Sequence, residues 1–328
     1  MRPSAVLFAI AGLVATPSAA LAQQPAPALA PAPVVPAPVQ TQMKLSVERV
    51  GGKLATVLVG SQIQVRGTIA TFVPGEKVIV RFYDQQSRLR VTTRPILGGP
   101  NGTGRFVLGH TPRRSGRLVV KASHAPTAAL GELKATARSV DVIPRRVDPS
   151  STKRAIRALQ RRLTRLGYVV GSRGVYDGRT ARAVLAFRKV TGMRRTTSAT
   201  TEVMRRIARG KGSFRIRRPS HGRHIEADLS RQVIALIEGG KVRRIYPVST
   251  GAPSTPTIIG SFRVYRRSPG TNAKGMVHSA YFIRGYATHG FASVPVYPAS
   301  HGCLRVPIPD ALSLFNWIRI GTPVDVYH

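Results

Sequence analysis

The residue types best suited to covalent chemistry lie near the end of this 328-residue sequence, around its single cysteine. Cys303 occupies the run Ser300-His301-Gly302-Cys303-Leu304-Arg305, and a further histidine, His289, lies upstream. A cysteine attacks a carbonyl carbon as its thiolate, so it needs a nearby base or positive charge at neutral pH. Either histidine could be that base, and Arg305 adds positive charge. The pattern favours a thiol nucleophile that carries out acyl transfer.

The glycines beside these residues bear on the choice of base and on the oxyanion site, and Gly290 favours His289 as the base. Gly290 permits close approach of the chain, and its carbonyl could orient one imidazole nitrogen. Gly302 allows a tight backbone in which its own amide and that of Cys303 face a developing oxyanion. His301 is so close to the cysteine that the local turn constrains its direction. Spacing alone therefore leaves the choice between the two histidines open.

Three other fates of a lone cysteine remain open. A buried cysteine can be an inert small hydrophobe, although the polar neighbours Ser300, His301 and Arg305 argue against it. His289, His301 and Cys303 could supply three ligands to a zinc ion. An odd cysteine in an exported protein can also form an intermolecular disulfide. We predict a nucleophile, with no metal and no cofactor.

The N-terminus resembles an export signal followed by a spacer. Met1-Arg2 precedes a short apolar core, and Ala20-Leu21-Ala22 is a typical cleavage pattern, so residues 1–22 are predicted to be a signal peptide. Residues 23–42 are rich in proline and alanine and predict an extended linker. No later run is apolar for long enough to span a bilayer. We expect a mature chain without a transmembrane segment, located in the periplasm or cell wall.

The sequence has 51 lysine and arginine residues against 13 acidic ones, a formal net charge of +38. In a cytoplasmic protein this charge would first suggest nucleic acid. Export instead favours polyanions outside the membrane, such as anionic wall polymers. Aromatic residues make up 6% of the chain, too few for a base-stacking surface, so nucleic acid is not expected as a partner. Arginine-rich solvated faces without a specific partner are the alternative.

Residues 43–145 contain short runs of alternating polar and apolar residues separated by turns. The run from Gln62 to Ile69 is typical of a half-buried strand, and several similar runs follow it. This spacing predicts an antiparallel, β-sandwich-like domain. No cluster of catalytic residue types indicates its function.

Residues 151–209 change to helical periodicity, with Ile156, Leu159, Leu163 and Leu166 at helical spacing. The segment also contains Leu159-Gln160, Leu166-Gly167-Tyr168, Gly174-Val175-Tyr176-Asp177, Ala183-Val184 and Phe187. In these residues it resembles the small three-helix peptidoglycan-binding domain that accompanies many wall enzymes. The leucines and Phe187 are core residues in either case, so a binding role is implied by the resemblance alone.

Residues 221–328 are again rich in β-type runs, with one helix indicated after Pro309-Asp310. Their motifs include Val248-Ser249-Thr250-Gly251, Gly260-Ser261-Phe262, Tyr281-Phe282, His289-Gly290, the cysteine run and Gly321-Thr322-Pro323-Val324. In these motifs the segment resembles the catalytic domain of the L,D-transpeptidases, the YkuD family. The fold class we predict is multidomain and mainly β: a sandwich-like domain, a small three-helix bundle, and a C-terminal L,D-transpeptidase β-fold with one helix.

The resemblance implies an exported enzyme whose partners are the peptide stems and glycan of peptidoglycan. Cys303 would attack a tetrapeptide stem, release its terminal D-alanine and form a thioester, which an amine of a neighbouring stem resolves into a cross-link. His289 would activate the thiol and Gly290 would orient the imidazole, while His301 and Gly302 would complete the site. The residues expected to contact substrate are Arg305, Ser300, Tyr281 and Phe282, with core packing the alternative for the last two.

Two other functions are compatible with the same sequence. An L,D-carboxypeptidase would use water instead of an amine to resolve the same thioester. A wall-binding protein with an inactive catalytic domain is the non-enzymatic alternative, and the intact set of Cys303, His289 and Arg305 argues against it.

Overall fold

The alternating runs of the first domain fold into two sheets that pack face to face. The computed structural model of the protein describes residues 36–52, 55–84 and 87–328. The strands are β1 Met43–Glu48, β2 Thr56–Leu58, β3 Ile63–Ile69, β4 Lys77–Asp84, β5 Ser87–Pro95, β6 Leu97–Gly98, β7 Gly104–His110, β8 Gly116–His124, β9 Leu133–Thr136 and β10 Val140–Ile143. One sheet has the order β1-β3-β7-β6, and the other has the order β2-β10-β8-β4-β5 with β9 paired to β8.

The core of this domain lies between the two sheets. Along β3, buried residues alternate with partly exposed ones, as expected for a strand with one face in the core. Val65 of the first sheet and Val80, Phe82 and Leu118 of the second belong to one buried apolar cluster. The prediction of a β-sandwich-like domain is therefore confirmed.

The next region is helical, with α1 Lys153–Arg165, α2 Gly178–Val190 and α3 Thr201–Ala208. Thr152 caps α1 by accepting a hydrogen bond from the Ala155 amide at 3.3 Å. Asp177 caps α2 in the same way, accepting from the Thr180 amide at 2.8 Å. Such caps satisfy amides that have no partner within the helix. Leu159, Phe187 and Val203 contribute one residue from each helix to the core.

The last region contains two further sheets and one helix. Its elements are β11 His224–Asp228, β12 Val233–Glu238, β13 Lys241–Pro247, β14 Gly260–Arg263, β15 Arg266–Thr271, β16 Val277–Ile283, β17 Tyr286–Phe291, β18 Leu304–Pro307, α4 Ile308–Trp317 and β19 Pro323–Tyr327. The sheets have the orders β13-β12-β11-β19-β14 and β15-β16-β17-β18. Ile225, Leu236 and Val324 of the first sheet share a core with Phe282 and Leu304 of the second. The prediction of a mainly β, multidomain protein is confirmed.

The helical region shares its core with the last region. Val233, Ala235 and Ile245 of β12 and β13 belong to the same buried cluster as the helices. The Ile245 amide donates to the Gly167 carbonyl at 2.8 Å, which joins the end of α1 to β13. Residues 38–328 accordingly form one compact unit.

The predicted signal peptide, residues 1–22, lies outside the described residues. Of the predicted linker, the structure describes residues 36–42, where the Val39 amide donates to the Ala129 carbonyl at 2.9 Å. No helix in the described part of the chain is both long enough and apolar enough to cross a bilayer.

Candidate active site

The parallel pairing of β17 with β18 brings the upstream histidine next to the cysteine run. Thr288 is paired with Leu304, and His289 is paired with Arg305. Cys303 directly precedes β18 and packs against Ala287, two residues before His289. Because residues two apart on a strand share a face, the contact with the Ala287 cluster places Cys303 on the side of β17 that also carries His289.

The His289 imidazole is buried and fixed in one orientation. Its side chain is 2% exposed, and Nδ1 donates to the Gly290 carbonyl at 2.8 Å. This bond leaves Nε2 as the nitrogen able to accept a proton. Burial lowers the pKa of His289, and the positive charge of Arg305 acts in the same direction. The imidazole is therefore neutral at pH 7 and available as a base.

Glycine is required at position 290 by packing. A Cβ at this position would lie 2.6 Å from the Ala311 Cβ, because α4 packs directly over β17. The glycine therefore lets α4 approach the strand that carries His289.

The Cys303 thiol is protonated in the resting protein. Burial against Met276, Tyr281 and Ala287 raises its pKa, although the charges of Arg305 and Lys274 partly oppose this shift. A protonated thiol beside a neutral imidazole can react once the imidazole takes its proton. The pair has the protonation states that general-base catalysis requires.

The loop before the cysteine has a conformation that requires glycine. Gly302 has φ +101°, and a Cβ there would lie 1.8 Å from the Tyr286 ring. Its amide donates to Ser300 Oγ at 3.1 Å, and Ser300 Oγ donates to the Cys303 carbonyl at 2.6 Å. The Gly302 amide is thus engaged by Ser300 in this structure, whereas we expected it to face an oxyanion. Ser300, 1% exposed, shapes this loop rather than offering its hydroxyl to a substrate.

A threonine-rich segment after β13 holds the same loop from the other side. The Thr250 carbonyl accepts the amides of Ala299 and Ser300, each at 2.9 Å. Thr255 Oγ1 donates to the Ser300 carbonyl and Thr257 Oγ1 donates to the Gly302 carbonyl, both at 2.9 Å. These bonds fix the backbone on which Cys303 is carried.

The remaining predicted site residues have different surroundings. Arg305 stacks on Phe291, with its guanidinium carbon 4.1 Å from the ring centre, and donates to the Ala299 carbonyl at 3.3 Å. His301 is exposed, and its ring makes no hydrogen bond to any residue that the structure describes. Tyr281 lies beside Cys303, whereas Phe282 points into the core between the sheets, which removes Phe282 from the substrate-contacting set.

Sequence reasoning missed three residues of this site. Met276 packs with the Cys303 cluster, Tyr286 occupies the space that a Gly302 side chain would need, and Lys274 adds positive charge near the thiol. The sequence offered only their positions as a signal: Lys274 and Met276 lie just before the Tyr281-Phe282 motif, and Tyr286 lies between that motif and His289-Gly290. Within residues 36–52, 55–84 and 87–328, no group of three metal-binding side chains is brought together.

Comparison with known proteins identifies the family. A model of the L,D-transpeptidase catalytic domain, YkuD, matches residues 222–326, and a model of a peptidoglycan binding domain matches residues 152–207. The crystal structure of the L,D-transpeptidase from Xylanimonas cellulosilytica is 33% identical over 56% of this chain and 97% of that one, with a TM-score of 0.51. This chain belongs to the L,D-transpeptidase family.

Other L,D-transpeptidases share shorter stretches with this member of the family. L,D-transpeptidase 1 of Mycobacterium tuberculosis is 26% identical over 30% of this chain and 48% of its own length, so the chain spans about half the length of the curated relatives it matches. The catalytic domain of the Enterococcus faecium L,D-transpeptidase is 28% identical over 33% of this chain and 98% of that one, with a TM-score of 0.29. Family membership supports an enzyme of the acyltransferase type.

Proposed function

We propose that this protein is an exported L,D-transpeptidase that cross-links peptidoglycan stems through a thioester on Cys303. One observation carries the proposal: the pairing of β17 with β18 brings the protonated thiol of Cys303, which directly precedes β18, close to the strand that holds the neutral imidazole of His289. The hydrogen bond from His289 Nδ1 to the Gly290 carbonyl leaves Nε2 as the nitrogen able to accept a proton, which supports its proposed role towards the thiol. His289 rather than the exposed His301 is therefore the base in our proposal.

In the first half-reaction the Cys303 sulfur attacks the carbonyl that joins the third residue of a tetrapeptide stem to its terminal D-alanine. The thiol proton moves to His289 Nε2. The C–N bond then breaks, the amine of the leaving D-alanine takes that proton, and a thioester remains on the sulfur. We assign the oxyanion to the Cys303 amide, because the Gly302 amide is engaged by Ser300.

In the second half-reaction an amine of a neighbouring stem attacks the thioester carbonyl. His289 accepts a proton from the attacking amine and returns it to the departing sulfur. A new amide bond forms and the Cys303 thiol is regenerated, so the reaction needs no metal and no cofactor.

The positive charges beside the thiol suit the donor stem. Lys274 and Arg305 both lower the pKa of Cys303 by their charge, so both lie within electrostatic reach of the reacting atoms. A tetrapeptide stem ends in a carboxylate one residue beyond the attacked bond. We propose that Lys274, which is exposed, meets this carboxylate, whereas Arg305 stays against Phe291 and the Ala299 carbonyl. The helical region would hold the enzyme on the glycan and stems of the same polymer.

Mass spectrometry of the purified protein with tetrapeptide-bearing muropeptides tests the reaction. We expect a thioacyl adduct on the wild type, loss of D-alanine and then a muropeptide dimer, with none of these on Cys303→Ala. Tripeptide without dimer would identify a carboxypeptidase. Identical spectra for the two proteins would refute both enzymatic functions and leave a wall-binding protein.

Export has its own test. We expect the mature protein in the periplasmic or wall fraction, with an intact mass that corresponds to cleavage after Ala22. Recovery of the uncleaved chain from the cytoplasmic fraction would contradict export.

A further inference from the structure

Lys189, in the last turn of α2, is a buried amine that the proposed reaction does not use. Its side chain is 3% exposed. Nζ donates to the Val248 carbonyl at 2.8 Å and to the Gln232 carbonyl at 3.1 Å, both in the catalytic region. Burial lowers its pKa to about 7, with the charge of Arg195 acting in the same direction. A lysine is rarely buried to this extent without a specific partner, and here the partners are these two backbone carbonyls. The function of this contact is the question that the structure raises.

The two carbonyls belong to two neighbouring segments, since Gln232 lies in the turn between β11 and β12 and Val248 directly follows β13. The Val248 amide donates to the Gln232 carbonyl at 3.0 Å. Gln232 has φ +58°, an uncommon conformation for a residue with a side chain. Its Oε1 accepts the Thr250 amide at 3.0 Å, and its Nε2 donates to the Leu229 carbonyl at 2.8 Å and to Thr250 Oγ1. Lys189 therefore holds the backbone of Gln232, and the Gln232 side chain in turn holds Thr250.

Thr250 connects this turn to the nucleophile loop. Its carbonyl accepts the Ala299 and Ser300 amides, and the Ser300 hydroxyl bonds to both Gly302 and Cys303. Gln232, Thr250 and Ser300 are each at most 3% exposed, so water does not compete for these bonds. A continuous buried chain of hydrogen bonds runs from the helical region to the backbone of the cysteine.

A second contact from the helical region reaches the approach to the same loop. Arg195, which follows α2, donates from one guanidinium nitrogen to the Val296 carbonyl and from another to the Ser230 carbonyl, both at 2.9 Å. Val296 precedes Ser300 on the segment that leads to Cys303. The helical region thus holds both the base of the loop and the chain that enters it.

We propose that Lys189 is a positioning residue for Cys303, acting through Gln232, Thr250 and Ser300, so that the peptidoglycan-binding region completes the active site of the catalytic domain. This inference rests on the proposed role of Cys303 as the nucleophile. The helical region then has a second task besides holding the polymer, since it sets the geometry of the reacting sulfur.

The substitution Lys189→Met tests the inference, because methionine keeps the apolar stem and removes the donors. We expect kcat on a tetrapeptide muropeptide to fall about tenfold with little change in KM, since displacement of a reacting group affects the chemical step. We also expect slower alkylation of Cys303 by iodoacetamide, measured by intact mass, with a smaller loss than in His289→Ala.

Two further variants separate positioning from general loss of stability. Arg182→Met removes another contact between the same two regions, the 2.7 Å bond from Nε to Asp310, which retains Arg179. It should lower the melting temperature without changing Cys303 alkylation. Gln232→Asn keeps an amide at a position that needs positive φ but shortens its reach to Thr250. It should reproduce the kcat loss, including under conditions where Lys189→Met fails to fold.

The outcomes distinguish this inference from the proposed function. Wild-type alkylation and kcat in folded Lys189→Met or in Gln232→Asn would overturn the positioning role alone. An equal loss in Arg182→Met would assign the effect to the interface as a whole and would also overturn it. Cys303 alkylation that is the same in wild type and His289→Ala would instead refute the proposed base, whatever Lys189→Met does.

Discussion

The N-terminal β domain and the C-terminal catalytic region are built from the same kind of strand, but they bury polar side chains very differently. Among the described residues of the first domain, the fully buried polar side chains are Thr56 and His124. The catalytic region buries many, and those around the cysteine run include Ser249, Thr250, Thr257, Thr288, His289 and Ser300. Burial of a polar group is unfavourable unless it is hydrogen-bonded.

The difference shows that buried side chains in the first domain mainly pack the core, whereas buried polar side chains near Cys303 also fix the positions of backbone atoms. In the first domain, alternation directs apolar residues inward and polar residues to solvent, and little else is needed for stability. Around Cys303, the buried hydroxyl groups of Ser249, Thr257 and Ser300 bond to backbone atoms and hold them in one arrangement. Substitutions in the two regions should therefore separate effects on reactivity from effects on stability.

The largest effect on reactivity is expected for His289→Ala, which removes the proposed base from the polar cluster. We expect acylation of Cys303 to slow by roughly 10²- to 10⁴-fold, measured by intact mass against a tetrapeptide muropeptide. The matched control is His301→Ala, whose exposed ring makes no hydrogen bond to a described residue; equal losses would contradict our choice of base. Because burial lowers the pKa of His289, wild-type acylation should persist into mildly acidic pH and fall only as the imidazole becomes protonated.

A smaller but clear effect is expected for Gly302→Ala, where both backbone conformation and space exclude a side chain. Positive φ at a non-glycine residue costs about 1–3 kcal/mol, and the new Cβ would also displace the Tyr286 ring. We expect a lower free energy of unfolding together with slower acylation. Gly239→Ala is the control, since Gly239 has φ +59° and nothing within 4 Å of an added Cβ. If this control slowed acylation as much, the contact with Tyr286 would be irrelevant.

The pH dependence of stability should reveal the burial of Lys189. Its pKa is about 7 in the folded protein and near 10.4 when unfolded, so between these values the unfolded state binds the extra proton. The wild-type free energy of unfolding should then gain up to about 1.4 kcal/mol per pH unit relative to Lys189→Met as pH rises through this window. No such gain is expected below pH 7, where both states are protonated. Urea titrations of both proteins at several pH values measure it, and parallel curves would contradict the shift.

The smallest effect is expected in the first domain. Ile69 is fully buried on β3, and Ile69→Val should lower the free energy of unfolding by roughly 0.5–1.5 kcal/mol. Because no polar network joins Ile69 to the cysteine loop, the rate of Cys303 acylation should not change. A reduced rate in the folded variant would show that the first domain also contributes to the site.

Much of this arrangement could be predicted from sequence because it depends on local patterns. Alternation along Gln62 to Ile69 predicted a strand, whereas the spacing of the two histidines from Cys303 left open which of them is the base. The roles of the adjacent residues Tyr281 and Phe282 were harder to predict, because the sequence pattern does not show which face of β16 packs into the core. Tyr281 therefore faces the thiol while Phe282 packs between the sheets.

The role of Lys189 could not be predicted for a different reason. On α2 it follows Arg188 in an ordinary basic last turn, a pattern typical of exposed residues. Its burial depends on the packing of the helices against β12 and β13, which are distant in sequence. The hydroxyl of Ser300 is a similar case, since its partners are backbone atoms whose positions depend on the whole loop.

The last strand has a consequence for the order of assembly. β19 lies between β11 and β14, parallel to the first and antiparallel to the second. During synthesis, β11 through β13 emerge long before the strand that completes their sheet, so one edge stays unpaired while the rest of the region is made. Such distant pairing slows folding. Cys303 is therefore translated before the sheet that packs against its own sheet can be completed.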